Sequence, residues 1–176
     1  MRRYAMGLRE GAPTPGELDT MRVVVRRAMA EGALGVATGL IYPPGAWAST
    51  DELVALLESP RSVQRETAQR LLWERQDKSA VPALRKLVTT AERATARLHA
   101  LYTLAGLDAL ETSDLLAGLS DASPRVREHA VLLSEPFLAD APELVDAILA
   151  LSDDDDTRVQ MQVAFTIGEM PADKLV

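Results

Sequence analysis

With 176 residues, 47% of them hydrophobic but only 4% aromatic, the chain can bury one sizeable core or an extended repeat core packed through Leu, Ala and Val. The absence of cysteine excludes disulfides, thiolate zinc sites, iron–sulfur clusters and covalent haem attachment. The net charge of −7 divides into −1 over residues 1–60, +5 over 61–97 and −11 over 98–176, and so acidic a surface argues against a nucleic-acid partner.

No segment approaches the ~20 apolar residues of a membrane span, and the basic start MRRYAMGLREG has no apolar run behind it. A cytoplasmic chain without a membrane partner is expected. The first element is TPGELDTMRVVVRRAMAEG, where Thr14, Pro15 and Glu17 form a capping box with Pro at the first helical position. Leu18, Met21, Val25, Ala28 and Met29 fall on one face of this helix, and Gly32 ends it. ALGVATGLI, residues 33–41, then reads as a short buried strand broken by YPPG. Ser49 and Glu52 cap the next helix.

The stretch MGLREGAPTPGELDTMRVVVRRAMAEGALGVATGLIYPPGAWASTDELVAL resembles N-acyl-D-amino-acid deacylases of the amidohydrolase superfamily over about residues 5–56. GALGVATGLIYPPG is its most specific part. The resemblance implies a strand and loop from a metal-dependent barrel, with Tyr42 facing the substrate pocket. It also implies that the metal ligands and catalytic Asp of that family lie outside this slice. The only histidines, His99 and His129, fall further along the chain.

From about residue 58 the signal is repetition. QRETAQRLLWER, ATARLHALYTLAG, RVREHAVLLSE and RVQMQVAFTIGE share a register in which Arg65, Arg97, Arg127 and Gln160 are 32, 30 and 33 residues apart. Three positions on come Ala68, Ala100, Ala130 and Val163, small residues that let a second helix approach. That second helix repeats through Leu84, Leu116 and Ile148 and through Leu87, Leu119 and Leu151. Matching positions in both helices of a unit predict an α-solenoid of about three and a half helix pairs. RQDKSA, SDASP and SDDDDTR supply Ser or Asp caps at the breaks.

The phrases AQRLLWERQDKSAVPALRKL, ARLHALYTLAGL and SPRVREHAVLLSE resemble HEAT repeats over about residues 58–172, as found in bacterial multidomain proteins joining a dehydrogenase-like propeller to a cytochrome domain. The resemblance implies a connecting or protein-binding role. The expected fold class is therefore mainly α, with residues 58–176 HEAT-like and 1–57 an amidohydrolase-derived segment. Two relatives meeting near residues 51–60 suggest a recombined, shuffled or engineered chain.

No cofactor is expected. Candidate divalent-metal ligands are His99 and His129, in equivalent slots with Thr67 and Gln162, and Asp153 and Asp155 of the Asp153–Asp156 run; a polar stripe and a solvated helix cap account for them more simply. The fourth repeat stops before its second helix, which should expose Val163, Phe165 and Ile167, while Leu34, Val36, Leu40 and Ile41 carry a barrel-type apolar pattern. These residues are the expected interface of a homodimer. Two functions stay open: a non-catalytic helical-repeat module that binds protein or itself, and a minimal hydrolase with a site at the segment junction or dimer interface.

Overall fold

The computed structural model describes residues 2–33 and 48–168, and the chain divides into two compact units, 1–53 and 54–176. Every regular element among the described residues is helical, and none of these helices is long and apolar enough to cross a membrane.

In the first unit, α1 (Arg2–Met6) packs on α2 (Pro15–Ala30). The capping box is formed: the Glu17 N–H donates to the Thr14 hydroxyl at 3.3 Å, and the Thr14 N–H donates to the Glu17 carboxylate at 2.6 Å. At the other end the Ala33 N–H reaches the Ala28 carbonyl and the Gly32 N–H that of Met29, the paired bonds of a Schellman close. The predicted apolar face of α2 is only partly covered. Met21, Val25 and Ala28 are half-buried, whereas Leu18 and Met29 are exposed. α3 (Thr50–Leu56) starts with the second predicted box, Ser49 with Glu52, and the Glu52 carboxylate also accepts from Arg2 at 3.0 Å. Of the strand expected over 33–41, Ala33 belongs instead to the close of α2, and the rest, with Leu34, Val36, Leu40, Ile41 and Tyr42, lies outside the described residues.

The second unit is a helical repeat in two layers. α4 (Ser62–Arg75), α6 (Ala94–Gly106), α8 (Pro124–Ser134) and α10 (Thr157–Gly168) stack on one another in one layer. α5 (Val81–Thr90), α7 (Thr112–Leu119) and α9 (Pro142–Leu149) stack in the other. The small positions of the register, Ala68, Ala100, Ala130 and Val163, are all buried at the seam. A Cβ added to Gly118 would sit 2.9 Å from the Ala130 Cβ, so α7 and α8 touch where neither can carry bulk.

The register of the second helices needs two corrections, the first being that Leu151 falls in the turn after α9 and is only partly buried. Leu84 and Ile148 are fully buried as expected, but Leu116 is only partly buried and its neighbour Leu115 takes the core position. α7 is turned so that Asp114, Leu115, Gly118 and Leu119 face inward, which puts Gly118 against Ala130 and Asp114 against Arg85.

Candidate interaction surface

The register arginines form a ladder that stitches successive repeats. Each first helix is preceded, two residues before its N-cap, by Ser59, Ala91, Asp121 or Asp154, and the register side chain accordingly reaches a carbonyl six residues back. Arg65 donates to the Ser59 carbonyl at 2.8 Å, Arg97 to Ala91 at 2.7 Å, Arg127 to Asp121 at 2.8 Å and Gln160 to Asp154 at 2.7 Å. The rest of the guanidinium points forward to the next repeat. Arg97 grips the Asp121 carboxylate with Nε and Nη2 at 2.6 and 2.7 Å, and Arg127 grips Asp154 at 2.7 and 2.8 Å. Such bidentate pairs fix geometry as well as charge.

The same two carboxylates accept the N-cap N–H of the following helix, from Ser123 at 2.7 Å and Asp156 at 2.9 Å. One aspartate thus closes one repeat and starts the next. The Asp153–Asp156 run is therefore more than a solvated cap: Asp154 and Asp156 turn in to Arg127 and Arg125, while Asp153 and Asp155 are exposed. A parallel clasp joins the other layer, where Arg85 of α5 meets Glu111 and Asp114 at the start of α7. The arginine register is legible in the sequence, whereas the acceptors are not. The readable signal was an Asp two residues before each later N-cap.

The first rung is incomplete. Ala91 stands where Asp121 and Asp154 stand later, and the buried Nε of Arg65 has no hydrogen-bond partner among the described residues. Ala91→Asp should supply that carboxylate and add about 1–2 kcal/mol of stability, the range for hydrogen bonds to a charged group. Thermal unfolding checks this; a lowered midpoint contradicts the ladder register.

The exposed face of the first layer carries a row of polar bridges between neighbouring helices. His99 Nδ1 lies 2.5 Å from Gln69 Oε1, the Tyr102 hydroxyl 2.8 Å from His129 Nδ1, and Thr166 donates to Glu135 at 2.8 Å. Tyr102 and His129 also meet edge to face at 5.6 Å. Each histidine is thus taken up by the preceding helix. Among the described residues no cluster of three or more His, Asp or Glu side chains is arranged to hold a metal ion.

Beside these bridges, Glu66, Gln69, Arg70, Trp73, Tyr102 and Gly106 line a groove of about 410 Å3 between α4 and α6. Trp73, 55% exposed, lies against Gly106, where a Cβ would come within 2.9 Å of its ring. On α10, Met161 and Phe165 are exposed, Phe165 to 62%. The expected exposure of Val163 and Ile167 is not found: Val163 is buried and Ile167 packs on the core, because both turn toward α8 and its neighbours.

Burial holds the His99 imidazole below its ordinary 6.5, with Arg65 adding to the effect and Glu66 opposing it. Hydrogen bonds from Arg127 and Arg125 hold the Asp154 and Asp156 carboxyls below the ordinary 3.8. In all three the folded chain binds its proton less readily than the unfolded chain. Stability therefore rises with pH through each window. Thermal midpoints should be level above about pH 7, decline as pH falls below 6.5, and decline again below 3.8. His99→Gln should remove only the first decline; an unchanged profile in that variant contradicts the assignment.

Two layers of helices, with successive repeats joined by arginine clasps, define a helical-repeat protein. Residues 50–133 match the family of HEAT repeats. A 43-residue stretch is 46% identical to the D-aminoacylase of Alcaligenes xylosoxydans xylosoxydans, covering 24% of this chain and 9% of that protein. The chain thus spans less than a tenth of that relative's length. No solved structure matches the chain.

Proposed function

We propose that the chain is a non-catalytic helical-repeat module that binds protein, and that it pairs with a second copy of itself. The observation that carries this reading is the first-layer face: Trp73, Leu132, Met161 and Phe165 are exposed on α4, α8 and α10 of a stack whose later repeats are clasped by Arg97 and Arg127. Large apolar side chains held on a stiff repeat surface gain by being covered. The acidic C-terminal region, at −11, complements residues 61–97, at +5, across a two-fold pair. Leu34, Val36, Leu40 and Ile41 are the candidates for a second patch.

The short likeness to a D-aminoacylase fits a recombined chain that keeps a fragment of that relative. The expected absence of turnover is tested on N-acetyl-D-amino acids with added zinc. Turnover that co-purifies with the protein and is lost in Tyr42→Phe overturns the non-catalytic reading and favours the hydrolase alternative.

A further inference from the structure

The groove between α4 and α6 has a chemical polarity that selects its occupant. Its walls are mostly carbon, supplied by Trp73, the Tyr102 ring and the open Gly106 backbone. Glu66 and Trp73 are seven residues apart on α4, so one anion and one indole lie about two helical turns apart, roughly 10 Å along the axis. The charges are unequally engaged. Arg70 is paired with Glu74 at 3.2 Å, and Gln69 Oε1 is bonded to His99, whereas Glu66 forms no ion pair among the described residues. The lining thus sets the Glu66 carboxylate, outside any ion pair among the described residues, at one end of an aromatic trough. Glu128 adds negative field at Tyr102, whose hydroxyl is held above its ordinary value by burial and by that charge.

We propose that this groove receives an arginine side chain of a partner protein, its stem along Trp73 and Tyr102 and its guanidinium on Glu66. A long basic side chain has the length and two-part character the trough demands, apolar stem and charged head. Arginine suits it better than lysine, because the planar head both stacks on aromatic faces and meets a carboxylate with two donors. The inference rests on the interaction-module reading and names the partner chemistry of one surface within it. Gly106 and Gln76 keep the site open: Gly106 admits the indole, and Gln76 Nε2 ties the Trp73 and Gly106 carbonyls together at 2.7 and 3.0 Å.

The test uses the full chain carrying Trp47→Phe, which leaves Trp73 as the sole indole. Its fluorescence is titrated with the peptide Ac-Ala-Leu-Arg-Leu-Ala-NH2 and with the same peptide bearing citrulline, the neutral isostere, in place of arginine. Expected are a saturable change with the arginine peptide, a loss of about tenfold in affinity with citrulline, and a similar loss in Glu66→Gln, whose unchanged circular dichroism shows the fold is kept. Equal binding of the two peptides, unaltered binding in Glu66→Gln, or no saturable change overturns the proposal. If self-association persists while the arginine peptide fails to bind, the groove assignment alone falls; if the peptide binds a strict monomer, the pairing falls and the groove stands.

Discussion

Truncating Leu104 to alanine should lower the stability of the second unit by about 2–5 kcal/mol, the range for emptying a fully buried leucine site. Leu104 has no exposed surface and sits on α6, which packs against α4 and α8 in its own layer and α5 and α7 in the other. Because α6 is packed by helices on four sides, collapse into a cavity there recovers little. The midpoint of thermal unfolding should fall by roughly 10 °C. A change under about 0.5 kcal/mol, the usual effect of a surface substitution, would show that α6 is not the centre of the repeat.

Asp154→Ala should cost nearly as much, about 2–4 kcal/mol, although it removes a single acid from a run of four. The loss leaves the mostly buried Arg127 guanidinium without its carboxylate and the Asp156 N–H without its acceptor. Stranding one member of a buried pair is costly because the remaining charge keeps its desolvation penalty. Asp153→Ala, one residue away and exposed, should change stability by no more than about 0.5 kcal/mol. Denaturant unfolding of the two variants side by side measures the contrast, and equal effects would contradict the ladder.

That contrast also shows where the sequence is legible and where it is not. The 30 to 33 residue spacing of Arg65, Arg97, Arg127 and Gln160, with a small residue three positions on, was enough to predict paired helices, since burial at a close seam imposes a period that survives in one chain. Both capping boxes were readable because their partners are three residues apart. The ladder was not, because Arg97 and Asp121 are 24 residues apart and Arg127 and Asp154 are 27 apart. Nothing local ties a guanidinium to a loop acid at that distance, and a solvated cap explains the acid equally well. Leu116 was misplaced for a related reason. Periodicity fixes the spacing of a buried face but not its rotation, and the contact of Gly118 with Ala130 turns α7 by about one residue.

The groove was hidden as well. Trp73 and Tyr102 come from different repeats, and their shared trough exists only because Gly106, unremarkable in the sequence, leaves room for the indole. The histidines, by contrast, occupy equivalent slots that the repeat register alone puts in one row. The structure gives that row its meaning, with each ring bonded to a side chain of the preceding helix.

The mass of the protein in solution tests the central claim, that this repeat module acts by association, more directly than any variant. Light scattering from a concentration series up to ~100 μM, where even weak micromolar interfaces are largely occupied, should show the 19.1 kDa chain passing to twice that mass. Phe165→Asp, a charge placed on the exposed α10 face, should shift the transition to higher concentration without loss of helix. A strict monomer throughout the series contradicts the account.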